Sequence, residues 1–145
     1  KYKTKSGRTV YGGGGITPDV YIPFKNSINS ETGKIVRNPK RPIFNFASQF
    51  ASQEKDQFDT FLNFKKNWFV TDDLFNSFLK ELNKDSLVVN LDSISLDDNY
   101  IRNTIKSEIA GSIWGKDEAA NIRLQLDNQV LEALKHFNEA DAFLD

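Results

Sequence analysis

The sequence has no cysteine. That excludes disulfides, cysteine-ligated zinc and a thiol nucleophile. Histidine occurs once, at His136, so chemistry needing an imidazole base has a single candidate. No apolar run is long enough for a membrane-spanning helix. Neither charge sign prevails: 19 lysines and arginines stand against 20 acidic residues, for a formal net charge of −1. The charges are interspersed, so no face suggests nucleic acid and no such partner is expected. The 145 residues make one domain, or one domain plus a remnant, and can bury a real core.

Phenylalanine is abundant, with 12 residues, most of them between Phe44 and Phe78. At helical spacing in polar sequence they read as core rather than as a ligand box. Glycine is concentrated in Gly12-Gly13-Gly14-Gly15. Such a run costs backbone entropy and belongs where the chain turns or lies close to another surface. Thr9–Tyr11 before it and Ile16–Pro23 after it read as extended, with Pro18 biasing Thr17 away from helix. A phosphate cradle needs the glycines to open into a helix N-terminus. Here they open into Pro18 and a strand pattern, so a hairpin turn is the simpler reading.

The segment Tyr2-Lys3-Thr4-Lys5-Ser6-Gly7-Arg8, the glycine run and Gly15-Ile16-Thr17-Pro18-Asp19-Val20 together resemble the C-terminal processing peptidases, or tail-specific proteases. The family pattern is a Tyr/Thr-containing strand, Ser-Gly-Arg, a glycine-rich turn and Gly-Ile-x-Pro-Asp. The residues that carry it here are Ser6, Gly7, Arg8, Gly12, Gly13, Gly14, Gly15, Ile16, Pro18 and Asp19, in structural rather than catalytic roles. The expanded glycine run resembles the Bacteroides-like branch. The likeness is strong only over the first two dozen residues, and looser to that branch's helical C-terminal extension beyond them.

The resemblance implies an exported, periplasmic or envelope-associated serine peptidase with a Ser nucleophile and a Lys base, acting on polypeptide substrates. In that family the dyad and the PDZ domain lie N-terminal to Ser-Gly-Arg. Here they would precede Lys1, which reads as lying inside a motif of a longer protein. No catalytic residue transfers, and no cofactor or metal is implied. The expected organisation is 1–24 as the end of a protease domain, 25–42 as a linker and 43–145 as a helical C-terminal module. The expected fold is mainly α with a short N-terminal β segment left from the protease domain. The first 24 residues, lacking the rest of that sheet, are expected to be poorly anchored. The alternative from another class is a stand-alone helical protein-interaction module.

Along the chain, Asn26 to Lys34 is turn chemistry, and Pro39 and Pro42 bracket a basic patch of Arg37, Lys40 and Arg41 that reads as solvated linker. Ile43, Phe44, Ala47, Phe50 and Ala51 share one helical face with Phe58, Phe61 and Leu62, which predicts one long helix or two broken near Gln53 to Asp56. Thr71 caps the next helix, with Asp72 and Asp73 at its positive end. Leu74, Phe75, Phe78, Leu79 and Leu82 form its stripe, which runs to Asn83 or Lys84. Leu87 to Leu91 reads as a short strand.

Ser95 or Asp97 caps a helix carrying Ile101, Ile105, Ile109 and Ile113, a seam closed by Trp114 and stopped by Gly115. A last helix from about Asp117 carries Ala119, Ile122, Leu126, Val130, Leu134, Phe137 and Leu144. It is expected to pack antiparallel on the isoleucine seam. His136, beside Glu132 and Glu139, reads as an ordinary helix residue. The pairs Asp72-Asp73 and Asp97-Asp98 read as helix N-termini rather than acid/base or metal sites. Ser6 lacks the Gly-x-Ser-x-Gly of a nucleophile elbow.

Overall fold

Asn29 opens the first helix. Its side-chain oxygen accepts the Thr32 N–H at 3.0 Å, and α1 spans Ser30–Val36. This corrects the linker reading over that stretch. Asn, Ser and Thr serve turns and N-caps by the same side-chain-to-backbone bonds, and here the cap prevails because α1 is anchored. The Asn29 N–H donates to Asp97 Oδ2 at 2.8 Å, and the Asn90 N–H donates to Glu31 Oε2 at 3.0 Å. Ile35 of α1 lies in the core. The computed structural model describes residues 1–5, 7, 9–13, 18, 20–25, 27–84 and 87–141. They fall into two compact units, residues 26–127 and residues 1–25 with 128–145.

In the larger unit, Pro42 begins α2, Pro42–Glu54, in the first-turn position that its missing N–H tolerates. The expected break follows as a 3₁₀ turn, Lys55–Gln57. Thr60 then caps α3, Phe61–Asn67, accepting the Asn63 N–H at 3.2 Å. Thr71 caps α4, Asp72–Lys84, as its pattern predicted, accepting the Leu74 N–H at 3.3 Å. Phe75, Phe78 and Leu82 of that stripe are buried.

The strand expected over Leu87 to Leu91 is not there. Asn90 instead caps a short helix, α5, Leu91–Ser95. β-branched residues make a strand only against a partner, and Val88 is exposed with no ladder beside it.

α6, Asp98–Ile113, is the centre of this unit. Ile101, Ile105 and Ile109 are each fully buried, and Ile113 packs at the core's edge. α6 packs on α2 and on α7, Lys116–Arg123. Gly115 reverses the chain between them at φ +125°, in the region that favours glycine. The two helices approach closely: a Cβ on Gly111 would lie 3.2 Å from the Ala119 Cβ. A buried hydroxyl joins them, with Ser107 Oγ donating to the Ala119 carbonyl at 2.9 Å.

Most phenylalanines between Phe44 and Phe78 are in the core or packed against it, as read, while Phe44 and Phe69 are exposed. Phe64 stacks on Trp68 at 4.8 Å and meets Trp114 at 5.1 Å. Phe58 meets Trp68 edge-on at 5.6 Å. Such pairs add about 0.5–1.5 kcal/mol each beyond burial.

The helix expected from Asp117 to the end is broken. α7 gives way to a 3₁₀ turn, Leu124–Leu126, and Asp127 is extended at φ −78°, ψ 107°. Asp127 and Asn128 are residues that compete with helix for backbone bonds. Beyond them lie α8, Asn128–Ala133, a 3₁₀ turn, Leu134–His136, and α9, Phe137–Asp141. Only Ala119 and Ile122 of the expected stripe are buried, while Leu134 and Phe137 are exposed. Leu144 lies outside the described residues.

In the smaller unit, β1 (Tyr2–Lys3) pairs antiparallel with β2 (Thr9–Val10), Tyr2 opposite Val10. The strand expected at Thr9–Tyr11 therefore has a neighbour, and the turn between the two strands is closed at Gly7 rather than in the glycine run. Residues 22–25 are also anchored, contrary to expectation. Asn128 accepts the Lys25 N–H at 3.0 Å and donates to the Pro23 carbonyl at 2.9 Å, and Gln129 Nε2 donates to the Ile22 carbonyl at 2.8 Å. The chain is mainly α, with a short N-terminal two-stranded sheet.

Candidate functional site

Of the motif residues, Ser6, Arg8, Gly14, Gly15, Ile16 and Asp19 lie outside the described residues. Gly7 closes the β1–β2 turn, its N–H donating to the Thr4 carbonyl at 3.0 Å with φ +85°. Gly13 also has positive φ, +96°. Gly12 lies under the Tyr2 ring, where a Cβ would sit 2.5 Å from Tyr2 Cε2. These glycines serve a positive φ or a close approach, the two uses that justify their entropy cost. Pro18 is exposed.

Among the described residues, three of the four paired carboxylates have partners, Asp73 being the exception. Asp97 accepts the Asn29 N–H. Asp98 and Asp72 both hold Arg102, at 2.7 Å to Nε and 2.8 Å to Nη2. Among the described residues, no group of three or more His, Asp or Glu side chains is placed to hold a metal ion. His136 Nδ1 lies 2.8 Å from Glu139 Oε2, and Glu132 pairs with Lys135 at 2.6 Å.

The arrangement that sequence reading missed is on α6. Arg102 and Lys106 are one turn apart and project toward the loop after α3. Arg102 Nη1 donates to the Val70 carbonyl at 2.7 Å, and its guanidinium lies 4.4 Å from the Phe75 ring centroid. Burial opposes the charge of Arg102, but Asp98 and Asp72 outweigh it and its pKa is raised. Lys106 is only 6 % exposed. Its Nζ donates to the Lys65 carbonyl at 2.9 Å and the Trp68 carbonyl at 2.6 Å, and lies 4.9 Å from the Phe69 ring centroid. Desolvation, with the Lys65 charge added, lowers its pKa.

These two side chains line a cavity of about 350 Å³ with Phe69, Val70, Asn103 and Leu126. Ser107 follows Lys106 in the chain but faces α7, where its hydroxyl accepts from Arg123 Nη1 at 3.0 Å. The two do not form a Ser–Lys dyad. No sequence signal marks Lys106 as buried, since a lysine beside an apolar seam usually leads to solvent.

A model for a family of unknown function, DUF8443, matches residues 36–115. The chain belongs to DUF8443. The matched segment runs from the end of α1 through Gly115 and carries α2–α6, including Arg102 and Lys106. It lies wholly inside the larger unit and leaves the Ser6–Asp19 motif outside. No curated protein and no solved structure matches the DUF8443 chain.

Proposed function

We propose that the chain is the C-terminal portion of an exported serine peptidase similar to the tail-specific proteases, and that it has no proteolytic activity by itself. The observation that carries this reading is the ordered set Ser6-Gly7-Arg8, the glycine run and Gly15-Ile16-Thr17-Pro18-Asp19. The β1–β2 hairpin is compatible with it, because it puts Gly7, at positive φ, in the turn that follows a Tyr-containing strand. The chemistry of the described residues is compatible too. A dyad needs the nucleophile's hydroxyl within hydrogen-bond reach of its base. Among the described residues no serine hydroxyl bonds a lysine or histidine: Ser107 bonds Ala119 and Arg123, Ser48 meets Ser112, and Lys106 donates to two backbone carbonyls. In this reading the protease core and PDZ domain are supplied by preceding sequence, and the substrates are polypeptides in the periplasm or envelope.

The test is the coding sequence upstream of Lys1. A serine followed about one or two dozen residues later by a lysine, in strand-rich context, supports the reading by the Ser/Lys logic of nucleophile and base. A start codon directly before Lys1, or an unrelated domain there, removes it.

One observation favours a second reading, a helical protein-interaction module. The DUF8443 match covers helices of the larger unit alone, so that unit is recognisable without the motif. An unrelated domain upstream is the result this second reading predicts.

A further inference from the structure

Among the described residues, Lys106 is a buried cation with no carboxylate partner. Arg102, one turn before it, is held by Asp98 and Asp72. An ammonium has three N–H donors, and two of them go to the carbonyls of Lys65 and Trp68 at the end of α3. That leaves one donor on an ammonium that lies 5.5 Å from the Phe64 ring centroid and 4.9 Å from that of Phe69, on a residue that lines the cavity. Burial first, and then the Lys65 charge, oppose the positive charge of Lys106. Buried charges are ordinarily paired, because desolvation is costly otherwise.

The rest of the wall has two kinds of surface. Phe69, Val70 and Leu126 are apolar, and Phe69 is 67 % exposed. Asn103 and Gln125 contribute primary amides that make no hydrogen bond to another described residue. A volume of about 350 Å³ lies at the small end of ligand sites, which combine apolar walls with a few convergent polar groups.

We propose that this cavity is a binding site for a small organic carboxylate, its anionic end on Lys106 and its apolar part against Phe69 and Leu126. One unneutralised cation suits a monoanion. A doubly charged phosphate would need more than the single free charge here, because Arg102 is already held by two carboxylates. The amides of Asn103 and Gln125 supply donors to the second carboxylate oxygen. The inference is independent of the peptidase reading, since it rests on the larger unit alone.

The probe is benzoate, with benzamide as its neutral control, titrated into the 145-residue chain uniformly labelled with nitrogen-15. The expected result is saturable movement of the Asn103 and Gln125 side-chain amide signals, with benzoate at least about tenfold tighter than benzamide, as one charge-assisted bond supplies. Lys106→Met keeps the apolar stem and is expected to abolish the difference between the two probes. Should that variant not fold, Phe69→Ala keeps the question open to refutation, because this exposed ring lies outside the core. It is expected to weaken benzoate binding about threefold or more through lost apolar contact. Equal binding of benzoate and benzamide, no saturable movement, or benzoate binding unchanged in Phe69→Ala would each overturn the proposal. Lys106 would then serve only to close the end of α3.

Discussion

Truncation of Ile109 tests how the larger unit is held together. The side chain is 0 % exposed and lies one turn from Ile105 on α6, the helix that packs on both α2 and α7. Ile→Ala at such a site costs about 2–5 kcal/mol, as lost transfer energy plus the cavity left behind. At about 2.1 cal/mol/K per residue, a unit of roughly 100 residues has a melting entropy near 0.2 kcal/mol/K. The expected fall in Tm is therefore about 10–25 °C.

Phe137 is the informative contrast. On helical periodicity alone it belongs to the same seam, but it is 62 % exposed. Phe137→Ala should change stability by no more than about 1 kcal/mol, in the range of surface substitutions. Ser112→Ala is the control, since its hydroxyl bonds its own helix at Glu108 and an exposed Ser48. Thermal unfolding followed by circular dichroism reads all three. Unchanged melting in Ile109→Ala, or a loss in Phe137→Ala as large as in Ile109→Ala, would refute the packing described.

Thr32 is fully buried, and its hydroxyl has no hydrogen-bond partner among the described residues. Thr32→Val should raise stability by about 1 kcal/mol, because a buried unmade hydroxyl bond costs that much or more; a lower Tm in calorimetry would contradict this. Glu31 has its pKa lowered, first by the Lys34 hydrogen bond and then by the Asn90 N–H. The folded state thus binds fewer protons than the unfolded one as pH falls below the ordinary value of 4.5. The stability from Glu31 is complete above that value and is lost as pH falls through the lowered one. Urea unfolding should show Glu31→Gln less stable than the parent at neutral pH and no less stable in strong acid. A gap independent of pH would show that charge is not its source.

What the sequence makes legible is what a single repeating pattern reports. The four-residue spacing of the isoleucines places α6 and its seam, because a period near 3.6 has one physical solution. Thr71 and Gly115 mark their helix ends by side-chain capping and positive φ. The errors have one cause in common: local signals with two outcomes, decided by distant partners. Asn29, Ser30 and Thr32 read as turn chemistry, but the same residue types cap helices, and the bonds from Asn29 to Asp97 and from Asn90 to Glu31 decide for the cap. Val88 and Val89 favour a strand only beside another strand. The stripe from Ile122 to Phe137 keeps its phase on a helical wheel, but Asp127 breaks the helix that the wheel assumes. The cavity at Lys106 is invisible to any pattern, because it depends on carbonyls of Lys65 and Trp68 from a different helix.

The reading proposed for this chain is that it is part of a serine peptidase whose catalytic pair lies in preceding sequence. The most direct measurement compares the 145-residue chain with the full product of its gene on an unstructured polypeptide ending in a free carboxylate. The account predicts turnover by the full product, lost when its upstream serine or lysine is replaced, and none by the chain alone. Turnover by the chain alone that is abolished by substituting one of its own serines, or none by the full product, would contradict it.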